Sequence, residues 1–67
     1  MKQVSGKDFC RALERQGWTW VRTRGSHQRY EKPGHAPVTV PVHGNAPLKT
    51  GLLHRLMKDT GLTEDDV

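Results

Sequence analysis

One histidine in this sequence stands among arginines. His27 closes the run Arg22-Thr23-Arg24-Gly25-Ser26-His27, and Arg29 follows two residues later. An imidazole beside guanidinium groups has a use in phosphodiester cleavage. Arginine grips a phosphate through paired N–H donors and stabilises charge on its oxygens. Histidine titrates near neutrality and so removes or supplies a proton. RNA needs little more, because its own 2′-hydroxyl is a nucleophile. Arg22 and Arg24 are two apart, which puts them on one face of a strand. Phosphate binding is the functional reading of Arg22, Arg24 and Arg29, and Ser26 either places the turn or donates a hydrogen bond. The competing reading is a solvated hairpin whose charged side chains have no role.

Other residues bear on the same chemistry. Trp18, Trp20 and Tyr30 are able to stack on bases. A chain with so few large apolar residues needs its tryptophans inside, so Trp18 and Trp20 are assigned to the core. Tyr30 is an auxiliary candidate whose hydroxyl points toward the site. His43 follows Pro41-Val42 at the end of a strand and is a second auxiliary candidate, with a structural role in that loop as the alternative. His27, His35 and His43 are spaced eight apart, with no compact His-x-x-x-His pair, and His54 stands alone. No metal and no other cofactor is expected. Cys10 reads as a small core residue and not as a nucleophile.

These residues sit in a short basic chain. Its 67 residues suffice for one domain, and 33% hydrophobic content makes a thin core, so an open surface site is expected rather than a deep pocket. All eleven basic residues lie before position 59, with only Asp8, Glu14 and Glu31 as acids there. Asp59, Glu64, Asp65 and Asp66 make the end acidic. A basic body suggests a polyanionic partner, nucleic acid first. A single cysteine excludes an internal disulfide. No apolar run is long enough for a bilayer, and no signal-peptide pattern opens the chain. A cytoplasmic location is expected.

The elements that must position the site are legible. Ser5 caps a helix over about residues 6–16, with Phe9, Ala12 and Leu13 at helical spacing and Gly17 ending it. Residues 18–24 are aromatic and β-branched and predict a strand. Gly25-Ser26 is a tight turn, and residues 27–31 return as a second strand. Val38-Thr39-Val40-Pro41-Val42 predicts a third, with Pro41 at an edge or an end. Thr50 caps a second helix over about residues 50–60, Gly61 closes it, and the tail from about residue 62 to 67 is expected to be mobile. The order implies an α+β fold, α-β-β-β-α, in one domain over residues 1–67. A three-stranded antiparallel sheet carries both helices on one face and leaves the other face, or an edge, open to a ligand.

Ser5-Gly6-Lys7, Gly17-Trp18, Val21-Arg22, Gly25-Ser26-His27 with Tyr30, Val40-Pro41-Val42-His43, Leu48-Lys49-Thr50-Gly51, Leu56 and Gly61-Leu62 follow in that order. This ordered set resembles the HicA, or YcfA-like, family of toxins from about Ser5 to Thr63. The resemblance implies a fold similar to double-stranded RNA-binding domains and a ribosome-independent mRNA interferase activity. It implies that His27 is the catalytic residue. It also implies a HicB-type antitoxin that covers the site, with operator DNA reached only through the toxin–antitoxin complex. Two further readings stand beside the endoribonuclease. One is a non-catalytic RNA-binding module, in which His27 would be dispensable. The other is a chain that works chiefly as one half of a protein complex.

Overall fold

The computed structural model describes residues 3–67. Helix α1 spans Gly6–Arg15, strands β1, β2 and β3 span Thr19–Arg24, His27–Glu31 and Val38–Pro41, and helix α2 spans Thr50–Thr60. The sheet is antiparallel in the order β1-β2-β3. The α+β order expected from the sequence is the observed one.

Helix α1 begins where Ser5 Oγ accepts the Asp8 amide at 3.1 Å, satisfying one of the helix's free N–H groups. It ends in a paired backbone motif. Gly17 N–H donates to Glu14 O at 3.2 Å and Trp18 N–H to Leu13 O at 2.9 Å. This turn delivers Trp18 into the core and starts β1. Gly6 sits against the end of β3: a Cβ at this position would collide with the Pro41 carbonyl oxygen. Glycine is therefore required there by close backbone approach. Helix α2 has Lys49 at its N-cap with no side-chain cap bond, so Thr50 is its first residue and not the expected cap. Gly61, at φ 77°, closes it with a bond to Met57 O.

One core cluster takes Phe9, Cys10, Ala12 and Leu13 from α1, Leu53 and Leu56 from α2, and Tyr30, Val38 and Val40 from the sheet. Both helices thus bury their apolar stripes on the same sheet face. Trp18 is in this core, as expected, but Trp20 is 49% exposed. Paired with Tyr30, it faces the helix side, but on the edge strand β1, where its Nε1 donates to Thr23 Oγ1 at 3.0 Å. The register shift that follows it, between Trp20 and Arg22, is a β-bulge that turns Arg22 and Arg24 to the opposite, open face.

The segment after α2 lies against α1. Leu62 is buried. Asp66 Oδ2 accepts from the Thr63 amide at 2.7 Å, its Oδ1 from Gln16 Nε2 at 3.0 Å, and its carbonyl from Arg15 Nη2 at 2.9 Å. The acidic tail expected to be mobile therefore has defined partners at the C-terminal end of α1. No helix among the described residues is long and apolar enough to cross a membrane.

Candidate functional site on the open sheet face

The two-residue turn Gly25-Ser26 joins β1 to β2. Gly25 takes φ 60° while Ser26 keeps a negative φ, the pattern of a type II′ hairpin turn, which wants glycine first. Ser26 is half-buried, and its carbonyl accepts the Val42 amide at 2.7 Å. The turn is therefore tied across to the end of β3. His27, the first residue of β2, is fixed from both sides: Arg24 is its register partner on β1 and Pro41 its partner on β3.

Alternation along β2 sends Gln28 and Tyr30 toward the helices and His27, Arg29 and Glu31 to the open face. Arg22 pairs with Arg29, and Arg24 with His27. Directly opposed residues have Cα atoms about 4.5–5.5 Å apart. Arg22, Arg24, His27, Arg29 and Thr39 line one shallow depression of about 170 Å³. Three of the four charged or titratable groups expected to act together on phosphate are thus arginines around one imidazole. Ser26 lies in the adjoining turn and meets β3 through its backbone carbonyl.

The electrostatics are unfavourable for an empty surface. Like charges directly opposite each other in a sheet are destabilising, yet Arg22 faces Arg29 across the strands. Only Arg29 has an acidic partner: its Nε lies 3.4 Å from Glu31 Oε2. Among the described residues Arg22 and Arg24 form no ion pair. An anion seated between them would relieve the repulsion.

A family model described as HicA toxin of bacterial toxin-antitoxin systems matches residues 6–62. The chain belongs to the HicA toxin family. Among curated proteins, no relative matches it. A HicA toxin is the toxin side of a toxin–antitoxin system, and it implies an antitoxin partner.

Within this HicA fold the auxiliary candidates fall elsewhere. Tyr30 is 2% exposed and faces α1, on the side of the sheet away from His27. Its hydroxyl lies 3.0 Å from Glu14 Oε2, to which it donates, and 3.3 Å from Gln28 Oε1. Burial, then hydrogen bonds with Cys10 and Glu14, push its pKa well above the ordinary tyrosine value. It positions α1 on β2 and does not reach the depression. His43 is exposed, two residues beyond β3, and its carbonyl accepts the Ala46 amide at 3.0 Å. It shapes that loop and does not line the depression. Burial likewise raises the pKa of the Cys10 thiol, despite a hydrogen bond with Tyr30 that opposes the shift. This suits a core residue and not a nucleophile. Among the described residues no three of His, Cys, Asp or Glu come together as a metal site.

Two residues of the open face were not singled out by sequence. Thr39 pairs with Arg29 and lines the depression. Glu31 holds Arg29. The period-two pattern of Val38-Thr39-Val40 contained the signal for Thr39, and the i, i+2 spacing of Arg29 and Glu31 contained that for their pair.

Proposed function

We propose that this HicA toxin is a metal-independent endoribonuclease that cuts mRNA in the cytoplasm. His27 acts as general acid or base, Arg22, Arg24 and Arg29 hold the scissile phosphate, and Ser26 sets the turn that presents the imidazole. The observation that carries this reading is the opposed Arg22–Arg29 pair beside the Arg24–His27 pair on a face that the core does not use. Charge repulsion of that kind is costly to stability and is expected where a ligand compensates it.

The chemistry follows from the geometry. A phosphodiester lying across the three arginines has its non-bridging oxygens held by guanidinium donors, which also stabilise the added charge of the transition state. His27 then removes the proton from the 2′-hydroxyl, or supplies one to the leaving 5′-oxygen, and solvent water supplies or takes up the other proton. The 2′-oxygen–phosphorus bond forms as the phosphorus–5′-oxygen bond breaks, leaving a 2′,3′-cyclic phosphate and a free 5′-hydroxyl. The partner is a HicB-type antitoxin that covers this face, and operator DNA is reached only through that complex. A basic toxin face suits an acidic antitoxin surface and speeds association.

The test uses an RNA of mixed sequence and the same oligonucleotide with 2′-deoxy sugars. Cleavage restricted to the RNA, with 2′,3′-cyclic phosphate ends seen by mass spectrometry, is the expected result. Cleavage of both would rule out attack by the 2′-hydroxyl. Salt-sensitive binding with no cut product would instead favour a non-catalytic RNA-binding module.

A further inference from the structure

The open face holds a second, larger depression of about 450 Å³, lined by Thr19, Val21, Glu31, Lys32, Pro33, His35 and Pro37, with Lys32 Nζ donating to Gln16 O at 2.8 Å. We propose that it seats a nucleobase of the bound RNA, with the Glu31 carboxylate reading a base that carries donors on its Watson–Crick edge, guanine above all. The proposal rests on the RNA-cleaving reading of the neighbouring site.

Register makes the two depressions neighbours. His27, Arg29 and Glu31 form one row along β2, and Glu31 pairs with Thr19. The row spans four residue steps, about 13 Å at the usual strand rise. A chain whose phosphate rests at His27 and Arg29 therefore brings the base of a neighbouring nucleotide over Glu31. The β1 bulge has a consequence here. Alternation puts Val21 on the same face as Thr19, and the extra residue lets Arg22 face that way too. Val21 is left 41% exposed in the depression wall. An exposed valine beside Pro33 and Pro37 makes an apolar bed for a flat ring. His35 forms another wall, its ring centroid 5.2 Å from that of the buried Trp18. Trp18 thereby fixes His35 as a stacking surface.

Glu31 supplies the selectivity. A carboxylate has about four lone-pair sites, and Arg29 Nε uses one of them on Oε2. The remainder accept both N1–H and N2–H of guanine. Uracil offers one N–H between two carbonyl oxygens, which a carboxylate repels. A bidentate base contact at this exposed position is worth roughly tenfold in affinity, at the lower end for such contacts.

The test measures binding by fluorescence anisotropy with full-length His27→Ala, so that no RNA is cut. The probes are an oligouridylate and the same oligomer with one guanosine. The guanosine probe is expected to bind roughly tenfold more tightly, and Glu31→Ala in the same background to erase that difference. The oligouridylate reports any general effect of freeing Arg29. Backbone amide resonances of Thr19, Val21 and His35 are expected to shift with the guanosine probe. Equal binding of the two probes, or discrimination that survives Glu31→Ala, overturns the proposal. So do resonances at Thr19, Val21 and His35 that ignore RNA but respond to a partner protein, an outcome that assigns the depression to a protein. Cleavage by the parent chain is scored separately. If it cuts RNA and no base is preferred, only the base site falls. If it neither cuts nor binds RNA, the reading of His27 falls with it.

Discussion

Replacing Arg22 and Arg24 together by alanine should weaken RNA binding in a way that salt reveals. Each phosphate contact on a single strand releases counterions and contributes about 0.7 to the slope of log affinity against log salt. Three arginines surround the depression, so the His27→Ala protein should show a slope near −2 from this site. Arg29 is held by Glu31, whereas Arg22 and Arg24 have no ion pair among the described residues. Removing both should therefore reduce the slope by about 1.4. Between about 50 mM and about 200 mM salt that difference amounts to roughly sevenfold in affinity. Titration of a labelled oligouridylate at several salt concentrations measures it. Both arginines are exposed, so the double variant should fold, and circular dichroism checks this. A slope unchanged by the double substitution would refute phosphate binding by Arg22 and Arg24.

Other expectations concern the scaffold. Gly6→Ala should destabilise the chain by about 2 kcal/mol, roughly 10 °C in Tm for a domain of this size, because its Cβ meets the Pro41 carbonyl. Thermal melts followed by circular dichroism measure this. Trp18→Ala should cost about 3–5 kcal/mol and Trp20→Ala less than about 1 kcal/mol, since only Trp18 is buried; urea titrations of the two variants decide it. The Cys10 thiol and the Tyr30 hydroxyl both have pKa values raised by folding from the ordinary 9.0 and 10.0. The folded state then holds these protons when the unfolded chain has lost them. The associated stability is complete below about pH 9 and declines as pH rises through the ordinary values and beyond. Denaturant midpoints measured from neutral to alkaline pH should fall, and Cys10→Ala together with Tyr30→Phe should flatten that fall.

Much of this was legible in sequence because the signals are local. Ser5 as a cap, Gly17 as a helix end and Gly25-Ser26 as a hairpin turn each depend on a few neighbouring residues, and each is found where expected. The grouping of Arg22, Arg24 and Arg29 with His27 followed from strand period and one turn. What sequence did not show depends on pairing. Strict alternation from residue 18 to 24 would put Trp18, Trp20, Arg22 and Arg24 on one face, which contradicts a core role for the tryptophans. The bulge after Trp20 resolves this conflict, and no residue type announces it. Tyr30 was placed near the site by chain proximity to His27, but an odd separation along β2 sends it to α1. The partners that tie Asp66 to α1 are Arg15 and Gln16, some fifty residues earlier in the chain, so no local pattern marks the tail as packed there.

The role of His27 is open to one direct measurement. The parent chain and His27→Ala are incubated with the same RNA in EDTA, and initial cleavage rates are compared on a gel. His27 is exposed and, among the described residues, forms no ion pair, so the variant should retain the parent's fold and melting temperature. Loss of a general acid or base should slow cleavage by at least about a hundredfold, with binding of uncut RNA nearly preserved. Equal rates for the two proteins, or a parent chain that is active only when metal is supplied, would contradict metal-free cleavage by His27.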